Sequence, residues 1–219
     1  MSCRIRRAAV TDAPQLVKIK QALPMPTGQA TTQTGGFLLG TSLSQYIAHI
    51  EHDDVYVAED LRIPGRPEIV GFSIVMRDET LRKSPLFQQR ALTAVPGLDL
   101  TVLQSLRIAY YEQLAFLPKA AHRRYASYAA FQNLAHAFQS HDVMLATVVR
   151  APIENRAALP FLKVTGFQPL GELAETYGEF GHITSTLYIL PRAVFVERTA
   201  QADFQSFLRH GLAQGLLHQ

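Results

Sequence analysis

Hydrophobic and polar positions alternate along this chain with two periods, and the switches between them mark out its elements. Residues 3-CRIRRAA-9 read as a first strand. Over 11-TDAPQLVKIKQAL-23 the spacing lengthens to a helical one: Leu16, Ile19 and Leu23 share a face that the Lys20 stem completes. Thr11 or Asp12 can cap this helix, and Pro14 suits its first turn. The stretch 24-PMPTGQATTQTGG-36, rich in proline, glycine and threonine, reads as a long loop. A short helix over 43–52 follows Thr41 or Ser42. Then 54-DVYVAED-60 alternates as a strand, and the turn 62-RIPGRPE-68 leads into 69-IVGFSIVMR-77 as an antiparallel hairpin.

Residues 78–104 carry a weaker pattern. The piece 85-PLFQQRAL-92 has helical character and 94-AVPGLD-99 is a turn, so the segment reads as an excursion between two sheet strands. The most apolar strand spans 106–117. The helix after it, about 121–139, sets Ala126, Ala130, Leu134 and Phe138 in one i,i+4 stripe. A buried strand, 143-VMLATVV-149, comes next. A helix over 153–167 then ends at Gly166, where glycine suits the left-handed position past a helix end. Residues 167–173 and 183–190 are the last strands, and a terminal helix over 200–216 gathers Phe204, Phe207, Leu208 and Leu212 on one side. The order is β-α-α-β-β-β-α-β-α-β-β, with one parallel β-α-β unit across 106–149.

Composition narrows the function classes. With 47% hydrophobic residues the chain can bury a sizeable core, and its length fits one domain or one domain with an appendage. The lone cysteine, Cys3, excludes an internal disulfide. No apolar run approaches the roughly 18 residues of a membrane helix, and Arg4, Arg6 and Arg7 interrupt any signal-like start, which points to the cytoplasm. The eight histidines form no H-x-H or H-E-x-x-H pair, so no metal site is expected. A charge of +3 with no Lys/Arg run longer than two argues against a nucleic-acid arm, and the basic residues could equally serve a small anionic ligand.

One stretch raises a chemical question. In 118-PKAAHRRYASYAAFQ-132 a strand passes through a turn into a helix N-terminus, the place where outward-pointing N–H groups hold phosphates. Such turns are usually rich in glycine. This one has none and carries a histidine and two arginines instead.

Four phrases together resemble the GNAT-type acyltransferase superfamily. The opening 4-RIRRAAVTDAPQLVKIKQAL-23 is similar to the family's first strand and helix, and 112-EQLAFLP-118 to its central strand ending in L-x-V-x-P. The loop 121-AHRRYAS-127 stands where the family has R/Q-x-x-G-x-G/A. The most specific phrase, 152-PIENRAALPFLKVTGFQPLG-171, resembles N-x-x-A-x-x-F-Y-x-K-x-G-F-x-x-x-G. Two loop positions depart: Ala121 stands for the leading Arg/Gln and Arg124 for the inner glycine, whereas Ala126 conforms.

The resemblance implies a mixed α/β (α+β) fold. It would be a mostly antiparallel twisted sheet flanked by helices, with a central β-α-β cofactor unit over a domain at 1–192. A helical extension, 193–219, would pack on that domain or on a partner subunit. Acetyl-CoA is the implied co-substrate, with no metal, and a small amine or a peptide amine the acceptor. His122, Arg123, Arg124, Tyr125, Ala126 and Ser127 would hold the pyrophosphate, the two arginines making up for the missing glycine. The strand N–H near Leu114 or Phe116 would face the thioester carbonyl. Asn155 would contact the pantetheine arm or cap its helix.

Glu112, the sole acidic residue in an apolar strand, is the candidate base, with Tyr110 on its face; otherwise it is a rim glutamate paired with an arginine. The family's tyrosine is Leu162 here. That leaves an unassisted thiolate, another tyrosine (Tyr110, Tyr125 or Tyr128), or a catalytically degenerate acyl-CoA-binding module. Tyr46, Glu172, Glu175, Tyr177, Glu179 and His182 form either an acceptor rim or solvated loops. Homodimerisation through the terminal helix is the remaining expectation, against its covering its own sheet; neither nucleic acid nor a membrane is an expected partner.

Overall fold

A capping box starts the second helix: the Ser42 hydroxyl accepts from the Gln45 N–H, and the Gln45 side chain accepts from the Ser42 N–H. The computed structural model describes residues 3–24, 28, 30–33, 41–62, 67–84, 87, 100–177 and 181–217. Strand β1 (Cys3–Arg7) leads through a 3-10 turn (Val10–Asp12) into α1 (Ala13–Ala22). Then come β2 (Thr31–Thr32), α2 (Leu43–His52), β3 (Asp54–Asp60), β4 (Glu68–Met76), α3 (Asp78–Lys83) and α4 (Leu100–Ser105). The second half holds β5 (Ile108–Phe116), α5 (Ala120–Ala137), β6 (Val143–Ala151), β7 (Glu154–Asn155) and α6 (Leu159–Thr165). It closes with β8 (Gln168–Tyr177), β9 (Gly181–Pro191), α7 (Arg192–Ala200) and α8 (Ala202–Ala213).

Seven strands form one sheet in the order β1-β3-β4-β5-β6-β9-β8. Its neighbours are antiparallel except β5 and β6, which run parallel as the β-α-β reading requires. One face is covered by α1 and α2, where Leu16, Ile19 and Tyr46 meet Val55, Phe72 and Ile74. On the other face lies α5, whose Ala130, Leu134 and Phe138 pack with Val75, Tyr111 and Met144. Asn133, fully buried, fastens α5 to the sheet by donating to the Asp54 carbonyl at 2.9 Å and the Ser73 carbonyl at 3.1 Å.

Three buried carboxylates tie β1 and β3 down. Glu59 accepts from Arg4 (2.6 Å) and Arg6 (2.8 Å), and Asp12 from Arg6 (2.7 Å) and the Ala9 N–H (2.8 Å). Asp54 accepts from Arg7 (3.0 Å) and Arg77 (2.5 Å), with His136 at 3.3 Å. Burial alone would raise all three carboxyls. Hydrogen bonds and charge from the arginines outweigh it, joined by His136 at Asp54 and the Ala9 N–H at Asp12, and hold each below the usual range.

Several boundaries differ from the sequence reading. The helix expected from 153 starts only at Leu159, with Pro160 in its first turn. Ahead of it the Asn155 side chain accepts from the Ala157 N–H at 3.2 Å, a local turn that competes with helix, and Glu154–Asn155 pairs with Thr31–Thr32 instead. The loop at 24–36 therefore contains a short strand. The expected turn 94–99 and most of 85–92 lie outside the described residues.

The terminal helix runs over Ala202–Ala213, and a further helix, Arg192–Ala200, precedes it across an extended Gln201 (φ −69°, ψ 148°). Their apolar face packs on the chain's own α5. The Tyr128 and Phe207 rings stack at 4.3 Å, Phe138 and Phe195 at 4.8 Å, and Phe131 meets Phe204 at 5.3 Å. Of the face read as a dimer surface, Phe204 and Phe207 thus pack inside this chain, while Leu212 stays exposed. Gly211 allows the close approach, because a Cβ there would sit 2.5 Å from the Tyr128 ring. Gly211→Ala is expected to cost about 1–3 kcal/mol through overpacking, read as a lower urea midpoint at unchanged slope; an unchanged midpoint would contradict the packing.

Candidate functional site

The parallel pair at the centre of the sheet is short. Strands β5 and β6 are in register only from Ile108↔Val143 to Tyr111↔Ala146. Beyond that point β5 stays with β4 and β6 with β9, so the two part and leave a wedge between them. The parting coincides with a bulge. Val75 pairs with Tyr111 and Ile74 with Gln113, which leaves Glu112 as the extra residue. The bulge also reverses which side chains face which layer. Ala109 and Tyr111 pack on the α5 side, and after the bulge Leu114 and Phe116 do, while Ala115 packs with the α1–α2 layer. The wedge opens towards the turn Leu117–Lys119, from which α5 starts.

Three tyrosines surround the bulge. The Tyr110 hydroxyl lies 2.6 Å from Thr147 Oγ1, bridging β5 and β6 at the parting. Tyr111, its ring 5.6 Å from Phe161, places its hydroxyl 2.7 Å from Ser73 Oγ, and burial pushes its ionisation up. Tyr46 is fully buried and donates to Gln113 Oε1 at 3.1 Å. Gln113 in turn donates to Thr41 Oγ1 at 2.8 Å, and Lys20 donates to the Thr41 carbonyl at 2.7 Å. Burial first, then the negative charge of Glu112, raise the Tyr46 hydroxyl. Glu112 is half-buried, and its charge bears on Tyr46 of the α1–α2 layer.

This network was missed from sequence, and Tyr46 belongs to it rather than to an acceptor rim. Gln113, a buried amide in an apolar strand, was the available signal. Of the other rim residues Glu172 and His182 are exposed, and Glu179 lies outside the described residues.

At the wedge mouth α5 is helical from Ala120, so the loop positions 121–126 occupy its first two turns. The Lys119 N–H bonds to the Leu117 carbonyl and the His122 N–H to the Lys119 carbonyl at this helix start. His122 is turned inward and fully buried. Its Nδ1–H donates to the Leu117 carbonyl at 3.1 Å, and its Nε2 has no partner among the described residues. Arg123 is exposed with no side-chain partner among the described residues, whereas Arg124 reaches back to His210 of α8. Tyr125 and Ala126 are half-buried, and the exposed Ser127 bonds to the Arg123 carbonyl at 3.4 Å.

Across the wedge, Asn155 sits on β7 beside β2, and Leu162 lies in the apolar core with 4% exposure. Tyr128, a candidate acid, spends its hydroxyl on the Phe207 carbonyl at 3.3 Å. Among the described residues no group of three His, Cys, Asp or Glu is placed to hold a metal, and no helix is long and apolar enough to cross a membrane.

A mixed seven-stranded sheet in this order, parted at a bulge between its parallel strands and with a helix starting at the mouth, is the GNAT-type acyltransferase fold. Solved structures share it. The spermidine/spermine N-acetyltransferase SpeG from Vibrio cholerae, in mutant forms, aligns over 90% of this chain and 98% of its own at 12% identity and TM-score 0.55. A GCN5-related N-acetyltransferase from Brucella melitensis covers 95% of this chain and 81% of its own at 10% identity and TM-score 0.54. A chain of the NatC complex bound to Gag peptide and CoA covers 87% and 99% at 16% identity and TM-score 0.53. No family model and no curated protein matches the sequence.

Proposed function

We propose that this protein is an acetyl-CoA-dependent N-acyltransferase acting on a primary amine of a small molecule or peptide. The observation that carries the reading is the wedge: paired strands that part at a bulged carboxylate, with a helix N-terminus at the open end. The similar proteins include an N-acetyltransferase of spermidine and spermine and a complex bound to CoA and peptide, and they supply the substrate classes. The protein is read as cytoplasmic.

The residues at the mouth fit a phosphate-bearing cofactor. The start of α5 is a helix N-terminus, whose backbone N–H groups and dipole favour an anion, and Arg123 adds an exposed guanidinium. This narrows the loop reading, because Arg124 is engaged with His210 and His122 faces inward. When bound, acetyl-CoA supplies a thioester carbonyl for the amine to attack and a thiol as leaving group. Leu114 and Phe116, on the part of β5 released from β6, offer backbone donors along the wedge. Glu112 takes the proton of the incoming ammonium, directly or through water, on the Tyr46 side of the sheet. Tyr110, held at Thr147 where the strands part, is the phenol read as the acid.

Leu162 favours a second reading. Where the resemblance expects a tyrosine, this residue is buried among apolar neighbours and offers no proton, as in a module that binds acyl-CoA without turnover. Calorimetric titration with acetyl-CoA followed by thiol release over an amine panel separates the readings. Micromolar binding is expected, about tenfold weaker in Arg123→Ala because a charge-assisted contact is lost, and less affected in Arg124→Ala. Binding without thiol release from any amine would establish the second reading; no binding would overturn both.

A further inference from the structure

At the β1 edge of the sheet, a cleft of about 650 Å³ opens between strand β1, helix α5 and helix α8. Its walls differ in chemistry. One is apolar, made by Phe131 and Ala135 of α5, Leu208 and Leu212 of α8, and Leu217 just beyond it. The other carries the guanidinium groups of Arg4, Arg6 and Arg7 of β1, with the imidazole of His136 of α5 beside them. The described lining includes no carboxylate. Glu59, Asp12 and Asp54, which pair these arginines, lie beneath with side chains 6%, 8% and 2% exposed.

The basic groups are not equally available. Arg6 is taken up by Asp12, Glu59 and the Arg7 carbonyl. Arg7 keeps 43% of its side chain exposed while Asp54, the Asp53 carbonyl and His136 Nε2 (3.0 Å) fix its guanidinium, which lies 5.7 Å from the Tyr56 ring centre. On the apolar side, Leu212 is 40% exposed at the rim.

We propose that this cleft binds a medium-chain aliphatic carboxylate, its head at Arg7 and His136 and its chain along Phe131, Leu208 and Leu212. The volume lies within the range of small-molecule pockets, roughly 300–1,000 Å³. A guanidinium already held in place offers a planar fork that matches a carboxylate and loses little freedom on binding. The opposite wall gains by covering apolar surface. A cation of the same length meets Arg7 with like charge, and a neutral alcohol covers the guanidinium without pairing it. The site is independent of the wedge.

Decanoate, titrated calorimetrically below its micelle concentration into the full chain with and without saturating CoA, tests the assignment. One saturable site with micromolar affinity, indifferent to CoA, is expected. Decanol and decylammonium should bind at least tenfold more weakly. Leu212→Asp should weaken decanoate at least tenfold while leaving the thermal midpoint in place, since that side chain is already on the surface. Arg7→Gln should weaken it similarly. Absence of saturable binding, equal affinity for decanol, full affinity in Leu212→Asp, or displacement by CoA would each overturn the proposal.

Discussion

Replacing Asp54 by alanine is expected to lower the free energy of unfolding by about 3 kcal/mol, because removing one partner of a buried ion pair strands the others. Asp54 is 2% exposed and faces Arg7, Arg77 and His136 at the start of β3. The arginines are 43% and 44% exposed, so water can recover part of their hydration and the loss falls at the low end for such pairs. Acid should act in the same sense. Asp12, Asp54 and Glu59 are all held below their usual range, so their contribution is complete above the unfolded-state value, near pH 4. It is lost as pH falls through the lower folded values. Urea unfolding of the parent should therefore change little through these groups from pH 7 to pH 5 and weaken steeply below about pH 4, with Asp54→Ala less steep. A parent and variant differing by under about 1 kcal/mol at pH 7 would show that the cluster is not integral to stability.

Glu112→Gln should cut acetyl transfer to an accepted amine by about a hundredfold or more, the usual scale for a lost general base. The change is nearly isosteric, and Glu112 occupies a bulge on the Tyr46 side, away from the residues assigned to the phosphates. Acetyl-CoA affinity should accordingly stay within about twofold, so that the loss falls in kcat. The acidic limb of the pH–rate profile should vanish with it. Turnover within threefold of the parent would assign the carboxylate a structural role at the bulge.

What was legible in the sequence was what periodicity and local chemistry encode. The α5 stripe is an example: Ala130, Leu134 and Phe138 are all buried, as their spacing required. The Gly166 helix end is another, since its φ of 94° is a value other residues resist. Pairings across long separations were not legible. Nothing near Tyr46 announces that its hydroxyl belongs to Gln113, 67 residues away, or near Arg124 that His210 will meet it. Asn155 was drawn into a helix by the motif around it, while a side-chain turn and a two-residue strand partner from the α1–α2 loop decided otherwise. For the site, Glu112 stood out as a charge in an apolar strand, but the bulge that exposes it depends on how β4 pairs.

That bulge carries a consequence for insertions and deletions. Past Glu112, the residues of β5 are one step out of phase with those before it. Removing that one residue would restore strict alternation and keep both halves on their present faces, whereas straightening the strand without a deletion would exchange the faces of its second half, moving Gln113 towards α5 and Leu114 towards α2. A homologue with an unbulged strand would align with this one only through a single-residue gap at 112. A gapless comparison would match every later position of the strand to the wrong side of the sheet, hiding kinship where the fold is most closely kept.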